Sequence, residues 1–284
     1  MTYMDRHGRP LPDHLTRTAM TSGTDPMTRR EFLATATAFG ATTATAYAML
    51  GLPAPALAQE TPVKGGTLRV GMQVMDLKDP RTADWSQIAN LARQFLEPLV
   101  KYTQDFTFEG KLLESWEVNA DATQYTLRLR PGVTWNNGDA FTADDVVFNI
   151  ARWCDKSAEG NSMASRFSAM IDEATGKARD GAIVKIDDMT VQLNLATPDI
   201  AIIPNMADYP ALIVHRSYEE TGSNLAANPI GTGPFELELH EVGNKARVVR
   251  RKDGKWWGGE ANLDAIEFTD YGNDPVIELN AWAA

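Results

Sequence analysis

The chain has 284 residues, 43% of them hydrophobic and 23% charged, the composition of a globular protein able to bury a core of its own. A formal net charge of −11, with no long Lys/Arg cluster after residue 58, argues against a nucleic-acid partner. Cys154 is the sole cysteine and only His215 and His240 lie beyond the first 58 residues, so an internal disulfide and a thiolate cluster are excluded and the inventory is poor for a metalloenzyme.

In chain order, the first signal is Thr28-Arg29-Arg30-Glu31-Phe32-Leu33, which opens an uncharged stretch reaching Gln59. The arginines form a positive region and the following residues an apolar one. Ala56-Leu57-Ala58 supplies small residues at alternate positions, as a signal peptidase pocket accepts. Residues 1–58 are therefore read as an export leader resembling the twin-arginine type, with cleavage near Ala58 and a twin-arginine translocase as its partner; Met27 is a candidate initiator. The alternative of a permanent membrane anchor is disfavoured by frequent Thr and by the breakers Gly51 and Pro53.

After a linker, Leu68, Val70 and Met72 alternate as in a half-buried first strand. Ile88, Leu91, Ala92, Phe95, Leu96 and Leu99 recur at helical spacing, predicting a helix that ends near Pro98. Tyr125, Leu127 and Leu129 predict a strand closed by Pro131-Gly132. Thr142 stands three residues before Asp145 and predicts a capped amphipathic helix. Residues 182–195 predict a hairpin broken at Asp187-Asp188, and further strands are expected at 235–239, 247–250 and 266–268. Strands and helices alternate without segregation, so the fold class is α+β or mixed α/β.

Several stretches then resemble, in order, the family 5 extracellular solute-binding proteins that serve peptide, nickel and opine importers. They run from Gly65-Gly66-Thr67-Leu68-Arg69-Val70 through Phe95-Leu96-Glu97-Pro98-Leu99-Val100, Leu113-Glu114-Ser115-Trp116 and Tyr125 to Val133. Trp135-Asn136-Asn137-Gly138-Asp139, Phe141 to Phe148, Gly231-Thr232-Gly233-Pro234 and Trp256-Trp257-Gly258 follow. The resemblance implies a two-lobed clamp that closes on its solute about a hinge. Residues 59–284 are then the first lobe of a periplasmic binding protein of type II-like fold, with the second lobe largely missing.

By the same resemblance the partners are a peptide or other small solute and an ABC permease of the inner membrane, the location is periplasmic, and no cofactor is expected. No catalytic residues are assigned, because no nucleophile–base pair, carboxylate pair or metal set stands at a recognisable spacing. Candidate cleft-facing residues are Met75, Asp76 and Trp85 after the first strand, Asp208 and Tyr209, and the turn residues Gly231, Thr232 and Gly233, for which turn architecture is the stronger reading. A carboxylate at Asp76 or Asp208 suits a ligand ammonium. With one wall of the cleft missing, solute binding is expected to be weak or absent. Two alternatives stay open: a non-functional fragment, and an oligosaccharide binder using tryptophan faces. In the second, Trp256 and Trp257, if on a strand, point to opposite sides and only one reaches a cleft.

Overall fold

The structure is a computed structural model that describes residues 3–5, 8, 10, 11, 15, 28–54 and 62–283. Two four-stranded sheets organise it. The first has the order β1 (Thr67–Gly71), β10 (Ala265–Thr269), β9 (Lys245–Arg250) and β8 (Phe235–Glu241), with β1 parallel to β10 and the other pairs antiparallel. The second is antiparallel throughout, in the order β4 (Leu113–Val118), β5 (Gln124–Leu129), β7 (Thr190–Asn194) and β6 (Ile183–Asp187). The chain thus starts one sheet, builds the other completely, and returns: Thr67 pairs with Ala265. The mixed fold expected from the sequence is what forms.

Local patterns explain most elements. Tyr125, Leu127 and Leu129 turn one face of β5 into the core, while Gln124 and Arg128 stay exposed. Pro131-Gly132 ends the strand, with Gly132 at φ 75°, a conformation that only glycine adopts without strain. The hairpin β6–β7 lies where the alternation placed it. A long helix spans Ala143–Trp153 (α4 below), and at its start the Asp145 carboxylate accepts from Thr142 N at 2.9 Å. The Thr142 hydroxyl itself is buried without a partner, so the cap is closed by the acid.

The remaining helices are α1 (Arg29–Ala38), α2 (Thr43–Met49), α3 (Ser86–Ala92), α5 (Met163–Arg166), α6 (Ile202–Asn205) and α7 (Pro275–Ala283). The sequence pattern predicted that α3 would run to about Pro98, yet it stops at Ala92. Pro98 has no N–H to continue the ladder, and the carbonyls of Gln94 and Phe95 instead accept from Phe235 N at 3.2 Å and Gly233 N at 2.9 Å. Val70 in the first strand and Met72 just past its end pack against a core as expected, while Leu68 departs from the pattern and is 48% exposed. β1 is an edge strand with a neighbour on one side only among the described residues, so its face is incompletely covered.

Each sheet has its own core. Trp116, Trp135 and Trp153 fill the one beneath β4–β7, and Phe95, Leu96, Val248 and Phe268 fill the other. Asn136 and Arg251 are among the side chains that tie the halves. Asn136 donates from Nδ2 to Pro229 O at 3.0 Å and accepts from Gly231 N at 3.2 Å. Arg251, 3% exposed, donates to Trp135 O at 2.8 Å and to Thr134 O at 2.8 Å. Between β1 and β4 in the chain lies a short hairpin, β2 (Val100–Tyr102) with β3 (Phe108–Gly110).

Candidate functional site

A cavity of about 840 Å³ opens between the hairpin, residues 93–98 and residues 204–208. The turn after α3 contributes Arg93, Leu96 and Glu97; the hairpin contributes Lys101, Tyr102, Phe108 and Lys111; the chain after α6 contributes Asp208; and the turn between β9 and β10 contributes Trp256. Charges of both signs therefore line an apolar, aromatic hollow, the make-up of a small-molecule site.

Glu97 is the anchor of this wall. Its side chain is nearly buried, and its oxygens accept from Trp256 Nε1 at 3.2 Å and Trp257 Nε1 at 2.9 Å, with Lys111 Nζ at 3.0 Å from Oε1. Lys111 Nζ also sits 5.1 Å from the Trp256 ring centre and 5.0 Å from that of Trp257, and Arg130 stacks 4.3 Å over Trp257. A buried carboxylate costs several kcal/mol of desolvation unless its lone pairs are occupied, and here three donors occupy them. The two tryptophans lie in a turn, not on a strand as supposed, and both N–H groups converge on one acid. Only Trp256 reaches the cavity, because the turn directs it there.

Asp208 ion-pairs with Arg166 and accepts from Tyr209 N at 2.7 Å, while keeping 41% of its side chain open. Of the residues expected to face a cleft, it alone lines this cavity. Met75 is half-buried with its carbonyl accepting from His240 Nε2 at 2.9 Å, Asp76 is exposed, and Trp85 is 56% exposed ahead of α3. Tyr209 packs into the core of the first sheet.

Gly231, Thr232 and Gly233 correct the expectation in part, because they are buried. A Cβ on Gly231 would stand 1.9 Å from Phe95 O, and one on Gly233 would stand 2.8 Å from Gln94 O, so these glycines serve backbone packing. Arg29 and Arg30 are exposed at the start of α1, and Ala56 and Ala58 lie outside the described residues. Sequence reasoning did not single out Arg93, Glu97 and Lys111 as site residues. An acid inside the apolar run Phe95 to Val100 was the available signal for Glu97.

Solved structures of periplasmic binding proteins share this architecture. A protein from A. tumefacien R10 in complex with agropinic acid superposes with TM-score 0.66 and 26% identity, over 76% of this chain and 42% of that one. The peptide-bound oligopeptide-binding protein of Listeria monocytogenes gives TM-score 0.66 at 23% identity, over 76% and 44%.

Residues 107–281 match the bacterial extracellular solute-binding proteins, family 5, and the chain belongs to that family. A glutathione-binding protein of Pectobacterium atrosepticum is 27% identical over 224 residues, 78% of this chain and 40% of the relative. The dipeptide-binding protein of Escherichia coli is 33% identical over 172 residues, 56% and 31%. The chain thus spans less than half the length of these relatives. Among the described residues no helix is long and apolar enough to cross a membrane.

Proposed function

We propose that this chain forms one wall of the solute cleft of a periplasmic binding protein that captures peptides or similar small solutes for an ABC permease. Its leader is of the twin-arginine type and is cleaved near Ala58. The observation that carries the reading is the cavity itself, where the Arg93 guanidinium and the Asp208 carboxylate share a hollow walled by Tyr102, Phe108 and Trp256. That pairing of charges suits a zwitterion, whose carboxylate and ammonium ends each gain a charge-assisted hydrogen bond. Relatives named for glutathione and dipeptides fit the same chemistry.

The test is calorimetric titration of the leader-free chain with a dipeptide, its amide and a neutral disaccharide. One wall leaves the ligand solvated on its far side, so the expected dissociation constant is about a millimolar. The dipeptide should bind more tightly than its amide, and Asp208→Asn should weaken both. Equal binding of dipeptide and disaccharide, or none of either, refutes the reading.

A further inference from the structure

Residues 28–54, within the stretch read as an export leader, fold onto the lobe. Thr28 and Glu31 close a capping box at the start of α1, with Thr28 N donating to Glu31 Oε2 at 2.7 Å, and this fixes the helix start at the arginine pair. From there the helix buries Phe32, Leu33 and Ala36 in a cluster with Ala41, Ala46, Tyr47 and Met49 of the same segment, while Arg29 and Arg30 remain exposed, Arg30 stacked 4.2 Å over the Phe106 ring.

Contact with the lobe is apolar at Ala34 and Ala38 and otherwise made by specific polar pairs. The fully buried Thr37 hydroxyl accepts from Phe108 N on β3 at 2.9 Å and donates to Leu33 O at 2.9 Å. At the end of the helix Ala38 O accepts from Trp116 Nε1 at 2.9 Å, so a lobe indole serves one of the carbonyls a helix terminus leaves open. Further along, Thr43 Oγ1 lies 3.2 Å from Thr107 Oγ1, and Tyr47 OH donates to Asp105 O at 3.4 Å. Ala34 of α1 lines the same cavity as Asp208 and Trp256.

We propose that residues 28–54, while still attached, are an intramolecular ligand of the β2–β3 hairpin that narrows the cavity on its Ala34 side. Release of the leader then widens the opening. The narrowing bears on solute only if the cavity is the solute site; the docking stands without that. Polar pairing of Thr37 and Ala38 distinguishes this from a greasy segment lying on the nearest apolar surface, since each partner has a defined acceptor or donor geometry.

The test uses the full chain carrying Ala207→Cys, a cavity-lining position, and a specific protease site placed within residues 55–61. Cys154 is buried and its thiol is pushed up to about 12, so it stays silent to maleimide. Labelling at position 207 should be slow in the uncut chain and severalfold faster once the leader is cut and removed. In the chain without the cysteine substitution, exchange of the Phe108 amide should be slow, and it should be fast after release and in Thr37→Val, which keeps the side-chain shape and loses the acceptor.

Equal exchange at Phe108 in the attached and released forms overturns the docking. Slow exchange with unchanged labelling overturns the narrowing of the cavity. Neither readout involves a solute, so failure to bind dipeptide would refute the reading of the cavity and leave this result standing.

Discussion

Glu97→Gln tests whether the buried acid holds the cavity wall. Gln keeps one acceptor but turns an NH2 toward an indole N–H, and it removes the negative charge facing Lys111, 3.0 Å away. Breaking a buried ion pair from one side costs about 3–5 kcal/mol, because the partner is left uncompensated. Lys111 keeps 25% of its side chain exposed and regains part of its hydration, which puts the expected loss near the low end, about 3 kcal/mol. With a urea slope of about 2 kcal/mol per molar, the midpoint should fall by about 1.5 M in urea unfolding followed by tryptophan fluorescence. Adding Lys111→Met should then cost far less than it does alone, giving a coupling of at least about 1 kcal/mol in the double-mutant cycle. A Glu97→Gln midpoint within experimental error of the parent would refute the argument that the carboxylate is structurally committed.

Other consequences follow from the same geometry. Gly231→Ala places a methyl 1.9 Å from the Phe95 carbonyl oxygen, so it should cost about 3 kcal/mol in urea unfolding. Gly132→Ala meets nothing within 4 Å and bears only the left-handed strain of φ 75°, about 1–2 kcal/mol; the reverse order of the two would show that the close approach is not real. Burial raises the Cys154 thiol from 9.0 to about 12, so between those values the unfolded chain has lost a proton that the folded chain still holds. Its contribution to stability is therefore full below pH 9.0 and falls as pH rises toward 12, by up to about 1.4 kcal/mol per pH unit. Cys154→Ala should flatten the decline of stability over that range, and an unchanged slope would count against it. Asn136→Ala removes both side-chain bonds to the Pro229–Gly231 loop and should cost about 1–3 kcal/mol by denaturant unfolding, with no loss expected if the loop holds itself.

Sequence periodicity was a good guide wherever a neighbour two, three or four residues away decides the outcome. The buried face of β5, the Asp145-capped start of α4 and the hairpin β6–β7 needed nothing more than their own alternation and turn residues. The helix after Trp85 was misjudged in length because its apolar spacing continues to Leu99, while the carbonyls of Gln94 and Phe95 are taken by a loop about 140 residues later in the chain, at Gly233 and Phe235. Leu68 alternates as a core residue would, and its exposure follows from the edge position of β1.

The order of short motifs along the chain was enough to determine the family, and a resemblance of that kind needs no coordinates. The site is another matter. Arg93, Lys111, Asp208 and Trp256 are scattered over more than 160 residues, and the segments that carry them meet through long-range contacts such as Gly233 N to Phe95 O and Trp256 Nε1 to Glu97. The same holds for Glu97, whose three donors come from positions 111, 256 and 257. Local physics fixes which residues are helical, extended or turning, because those preferences act within a few bonds. Which side chains share a cavity depends on long-range pairing and packing, which only the folded chain settles.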